Sequence, residues 1–140
     1  MIPKFKVWDK ENEKMLVVNN ICNLFWDTKF IECYELVSDP KGKQEYELID
    51  HRIDFEDCVL MQSTGLLDKN GKEIFEGDIV RFHTPQLTTI GVVEFDKNEA
   101  CFKVHNDFGG HYVTMFHTRY FEVIGDIYQN PELVEEIKDE

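Results

Sequence analysis

Short apolar runs broken by glycine- and aspartate-rich turns recur along this chain, and that punctuation limits its fold more than any other feature. The stretch "MQSTGLLDKNGKEIFEGDIVRF" (Met61–Phe82) shows it best. Asn70-Gly71 supplies a position that tolerates positive φ, because glycine has no Cβ to clash with the preceding carbonyl. Gly77, inside "FEGD", permits a second tight turn, and the apolar runs beside both are strand-sized rather than helix-sized. A chain punctuated every eight to twelve residues or so has little room for long helices, and it favours hairpins.

The same pattern runs from end to end. Phe5 and Val7 alternate with Lys4, Lys6 and Trp8 ahead of a turn at Asp9-Lys10-Glu11-Asn12, and Met15–Val18 reads as the returning strand. Ile21–Trp26 and Lys29–Val37 are the next strand candidates. Ser38–Gln44 is a turn cluster, and Glu45–Ile49 pairs back. Asp50–Val59 fits either a short helical turn or an irregular link. Beyond it come strands at Val59–Thr64, Asp78–Phe82, Ile90–Asp96, Ala100–His105, His111–His117 and Phe121–Tyr128. Asn130 as N-cap and Pro131 at the first helical position, followed by acids, predict a short terminal helix.

These readings predict a mainly β (β-rich α+β) chain with an SH3-like small barrel in its C-terminal half. The expected parts are an N-terminal β-hairpin and sheet region over 1–58, the barrel region over 59–130, and an acidic helix over 131–140, together one compact unit. With 140 residues, 42% of them hydrophobic, a core can form without disulfide help. Cys22, Cys33, Cys58 and Cys101 are widely scattered and form no C-x-x-C pair, which points to free thiols in a reducing cytoplasm. No apolar run is long enough to span a bilayer.

Charge narrows the function classes. At −13 the chain repels phosphate backbones, so direct nucleic-acid binding is disfavoured; solubility, a basic protein partner or mimicry of nucleic-acid charge fit better. Lys41 and Lys43 between Tyr34 and Tyr46 make a thin basic patch, because Asp39, Glu45 and Glu47 surround them. The acidic end "ELVEEIKDE" reads as a solvated helix end, or more sharply as a partner-binding tail.

Candidate chemistry is sparse. Glu73, Glu76 and Asp78 lie near two glycines and could serve acid–base work or Mg²⁺, but Asp78 bonding backbone N–H groups in its turn explains the pattern as well. His111 and His117 on one strand would stand about 20 Å apart, too far to share a metal. A folded site could instead gather His83, His105 and His117. A strand places Cys101 and His105 on one face but far apart, Cys58 and His51 lie in the ambiguous Asp50–Val59 stretch, and buried cysteine acting as small apolar filler is the better reading of both. The residues singled out are therefore a structural turn motif: Gly65, Asp68, Asn70, Gly71, Glu76, Gly77 and Asp78. No catalytic residue, metal site or cofactor is assigned.

Three segments, "KFKVWDKENEKM" (4–15), "MQSTGLLDKNGKEIFEGDIV" (61–80) and "FEVIGDIYQNPEL" (121–133), resemble the YopX protein family in content and order. Ser63 stands where that pattern leads one to expect an aromatic residue, and Leu67 where it leads one to expect a more polar one. The resemblance implies a mainly β fold with a barrel-like part and a small protein carried by phages or prophages. It carries no catalytic residue and no cofactor. The resulting expectation is a non-enzymatic, protein-binding accessory protein in the bacterial cytoplasm, with homo-oligomer formation open. The alternatives are a nucleic-acid-associated protein (direct binder or acidic mimic) and a hydrolase or metal-dependent enzyme using Asp78, Glu76 and a histidine.

Overall fold

The computed structural model describes residues 4–38, 44–83, 88–106, 111–114 and 120–138. The fold is mainly β: two antiparallel sheets and one short helix. Contacts group the chain into two units, Ile2–Gln62 and Ser63–Glu140.

In the first unit, β1 (Phe5–Asp9) and β2 (Lys14–Cys22) form a hairpin in which Lys6 faces Val17 and Asp9 faces Lys14. Asp9 sets the turn: its Oδ1 accepts from the N–H groups of Glu11 (3.0 Å) and Asn12 (3.2 Å). β3 (Phe30–Ser38) and β4 (Gln44–Asp54) extend the sheet on the β2 side. A 3₁₀ turn at Phe55–Asp57 leads into β5 (Cys58–Leu67), whose first half pairs with β1. The segment Asp50–Val59 is thereby resolved: strand through Asp54, one helical turn, then strand again.

The pairing order β4-β3-β2-β1-β5 cannot be flat. Asp54 pairs with Phe30 at the far end of β2, whereas Cys58 pairs with Asp9 beside the start of β2. Four interstrand steps in a flat sheet would separate them by about 19 Å, before any offset along the strands. The chain from Asp54 to Cys58 reaches about 14 Å at most. The sheet therefore rolls up, with a register shift between Val18 and Asn20 in the bending strand. The concave side collects Val7, Leu16, Ile31, Cys33, Ile53 and Cys58 into one buried cluster. Each fully buried aliphatic side chain there contributes about 1.5–3 kcal/mol.

In the second unit the remainder of β5 pairs with β6 (Glu73–Phe75). β7 (Asp78–His83), β8 (Thr88–Asp96), β9 (Cys101–Asn106), β10 (His111–Thr114) and β11 (Phe121–Asp126) form a sheet of order β10-β9-β8-β7-β11. Its core is Ile74, Val80, Phe82, Val93, Val104 and Phe121. β7 is buried on both faces, Ile79 as fully as Val80, as suits a strand flanked by β8 and β11. Gly91 lets β8 lie close to β9: a Cβ there would stand 2.4 Å from Val104 Cγ1 and 3.0 Å from the His105 carbonyl oxygen.

Three expectations are corrected. Among the described residues no closed barrel forms: β10 and β11 are the ends of an open sheet, and β5 pairs with β1 and β6 instead of joining it. Turn spacing sets the order of hairpins, whereas closure depends on tilt and stagger between strands. The strand expected over Ile21–Trp26 ends at Cys22, because Asn23 adopts φ 56° and the Trp26 N–H donates to the Asn23 carbonyl (2.9 Å), closing a turn. Asn130 precedes the helix α1 (Glu132–Lys138), but its side-chain Oδ1 accepts from the Asp126 N–H (3.2 Å), and only its carbonyl accepts from Leu133 (3.1 Å). The turn Ser38–Gln44, the loop Thr84–Thr89 and the strand His111–His117 lie partly outside the described residues. No helix among the described residues is long and apolar enough to cross a membrane.

Candidate functional site

The conspicuous segment runs from Ser63 to Asp78, and four of its polar side chains turn inward. Ser63, Thr64, Asp68 and Asp78 are all buried. Burial of such groups is tolerated only where each finds hydrogen-bond partners. Thr64 Oγ1 donates to the Ile74 carbonyl (2.8 Å) and accepts from the Leu66 N–H (3.1 Å); Ser63 Oγ accepts from the Gly65 N–H (3.0 Å). Asp68 Oδ1 accepts from Asn70 (2.9 Å) and Lys72 (2.8 Å), which closes the Asp68–Lys72 loop around Gly71 at φ 80°. Asp68 Oδ2 accepts from the Val123 N–H (2.9 Å), and the Lys69 N–H donates to the Phe121 carbonyl (2.9 Å). The loop is thus latched to β11. Burial alone would raise the Asp68 pKa; the N–H groups of Val123, Lys72 and Asn70 outweigh it and hold the carboxyl below the ordinary carboxylate value.

Asp78 Oδ2 accepts from the Phe75 N–H (2.8 Å), which closes the turn that carries Gly77 at φ 86°. The Gly77 N–H donates to the Val93 carbonyl (2.8 Å), and its own carbonyl accepts from Ile127 (3.0 Å). That turn is therefore held by β8 and by the segment after β11. Asp126 pairs in register with Asp78, and its carboxylate caps the next turn, accepting from Tyr128 (2.9 Å) and Gln129 (2.8 Å). Glu76 lies close enough to Tyr128 to help raise that phenol's pKa, though burial is the larger cause. Gly65 sits within β5 at φ 77°, in the stretch where its register with β6 shifts. Such an arrangement holds backbone in place. A carboxylate with both oxygens on amide hydrogens and a lowered pKa, as at Asp68, stays ionised near neutral pH and has no proton to donate.

The other candidates are dispersed. Burial pushes the thiols of Cys33 (to about 11) and Cys58 up, which keeps them protonated. Their sulfurs face the carbonyls of His51 (3.4 Å) and Phe55 (3.8 Å). Cys101 is half-buried. His105 Nδ1 lies 3.7 Å from Glu94 Oε1. His117, and the side chains of His83 and His111, lie outside the described residues, as do Lys41, Lys43 and the side chain of Tyr46. Among the described residues no group of three or more His, Cys, Asp or Glu side chains is placed to hold a metal ion. A cleft in the second unit is lined by Val92, Glu94, His105, Ile127, Pro131, Val134 and Glu135.

The model of the YopX protein family matches residues 4–135. This chain belongs to the YopX family. Among solved structures, it is similar to protein EF1440 from Enterococcus faecalis, at 29% identity and a TM-score of 0.66, over 96% of this chain and 99% of that one. It shares a fold with protein YopX from Bacillus subtilis, at 24% identity and a TM-score of 0.52, over 93% of this chain and 96% of that one. The comparison with curated proteins found no match.

One feature of this YopX-family chain escapes the reading of its sequence. Leu24, Phe25 and Trp26 lie on the loop between β2 and β3 and are 52%, 94% and 70% exposed. The signal was available in "NLFWDTK": an asparagine before the apolar triplet and Asp27-Thr28 after it bracket a turn. The aromatic content of the triplet argued for strand instead.

Proposed function

We propose that this YopX-family chain is a non-enzymatic, protein-binding β module that serves as a phage or prophage accessory protein. The observation that carries the reading is the use of the motif's carboxylates: Asp68 with both oxygens and Asp78 with Oδ2 accept from backbone N–H groups and so frame the turns. A segment built in this way supports a scaffold, and the remaining surface is left for recognition. The phage association follows from the family resemblance, and an SH3-like character of the β7–β11 sheet, by analogy with recognition modules, belongs to the same proposal.

The charge of −13 favours a basic partner and steers its approach. The test is affinity capture with the purified chain from lysates of Enterococcus faecalis and Bacillus subtilis, the sources of the similar structures. A specific protein, retained across washes and displaced by free chain, supports the reading. Capture of nothing specific from either lysate counts against it. A hydrolytic activity abolished by Asp78→Asn, with folding intact, would replace it with an enzymatic one.

A further inference from the structure

We propose that Leu24, Phe25 and Trp26 form a plug that docks into an apolar socket on a basic partner protein. The inference rests on the protein-binding reading above and names the surface and the chemistry of its partner.

Exposure is the first observation. Phe25 is 94% and Trp26 70% exposed, whereas fifteen hydrophobic side chains among the described residues are buried. The two aromatics present on the order of 300 Å² of apolar surface. That is the size of the largest patch on an ordinary monomer, and such patches are often functional. The loop is also held in shape. Asn23 takes φ 56°, the Trp26 N–H donates to the Asn23 carbonyl (2.9 Å), and Asn23 Nδ2 donates to the Thr28 carbonyl (3.4 Å). β2 and β3 clamp its ends through the Cys22–Phe30 pair. A preformed projection loses little freedom on binding.

Shape and charge select the occupant. The plug is convex, so its complement is concave. Two such loops packed symmetrically would bury far less than the roughly 800 Å² per partner of a standard interface. Two copies at −13 also repel one another, and an anionic bilayer would repel the chain in the same way. Beside the plug stand exposed Asp27 and Asp54 (in register with Phe30). Lys29 is half-buried, and Arg52, itself exposed, is stacked over the Phe30 ring at 3.7 Å. An apolar tip on a chain of net charge −13 fits an apolar socket on a basic partner, where aromatic anchors dominate affinity and charge sets the rate of encounter.

The experiment places a benzophenone side chain at position 25 of the full chain and irradiates it in the two lysates. The cross-linked protein is then purified and titrated against the wild type, Phe25→Ala/Trp26→Ala and Asp27→Lys/Asp54→Lys. The expected result is a loss of affinity of about 30-fold or more for the double alanine variant. Charge reversal and 500 mM salt are expected to slow association about tenfold, with circular dichroism unchanged in both variants. Equal affinity for wild type and the double alanine variant overturns the proposal, as does the absence of any cross-link at position 25. Self-association of the wild type lost in that variant would assign the plug to a second copy, and Trp26-dependent flotation with phosphatidylcholine vesicles would assign it to a membrane; either overturns it. A partner captured as described above that binds the double alanine variant normally sinks the plug but leaves the protein-binding reading standing.

Discussion

Two short segments of this chain reverse the usual placement of side chains, in opposite directions. Ser63–Asp78 buries Ser63, Thr64, Asp68 and Asp78, whereas the loop after β2 exposes Leu24, Phe25 and Trp26. The buried polar groups are explained by the chain itself, because their partners are backbone N–H and C=O groups close at hand. The exposed apolar loop has no such internal account. A segment whose chemistry is satisfied internally maintains the fold, and one whose chemistry is left open is where a partner can be recognised. The most distinctive part of the family pattern therefore reports on architecture, and a less distinctive loop reports on recognition.

If that contrast holds, substitutions in the first segment act on stability and substitutions in the second on binding. The largest effect is expected from Gly77→Val. A β-branched side chain at φ 86° in a buried turn should cost about 3 kcal/mol or more, through the left-handed backbone and loss of the bonds to Val93 and Ile127. A melting temperature equal to the wild type would refute this. Asp68→Ala follows. It strands the N–H groups of Asn70, Lys72 and Val123, for a loss of about 2–3 kcal/mol in chemical denaturation.

Asp68 also sharpens the contrast through pH. Its folded pKa is depressed, so its stabilisation is complete above the ordinary carboxylate value of about 4 and is lost as pH falls through the folded value. Asp68→Asn should be less stable than wild type at pH 7 and lose less on acidification to pH 3; parallel curves for the two proteins would contradict the latch. Thr64→Val removes one buried donor and acceptor pair, at a cost of about 1 kcal/mol. The smallest effect should come from Phe25→Ala/Trp26→Ala, whose stability should stay within about 0.5 kcal/mol of wild type. A larger loss in thermal melts would mean that the loop is structural after all, and the contrast would fail.

The mainly β character was legible because strand-length apolar runs and turn residues alternate over the whole chain. Family membership was legible from the three segments at 4–15, 61–80 and 121–133. The loop at Leu24–Trp26 was misread as strand, since apolar and aromatic residues favour strands and the decisive Asn23 conformation is a single φ angle. Asn130 was read as a side-chain cap because its position suits one. Its carboxamide oxygen meets the Asp126 N–H instead, and a Cβ at Gly125 would stand 2.5 Å from that oxygen. The second Asp68 oxygen meets Val123, a partner 55 residues away in sequence.

Local chemistry thus determined where this chain turns, because a turn depends on a few neighbouring residues and on which of them tolerate positive φ or accept a nearby N–H. Tertiary structure alone decided that the first sheet rolls, that the second stays open among its described strands, and which apolar residues remain outside. Those outcomes depend on register and twist between strands far apart in sequence, and no single segment encodes either.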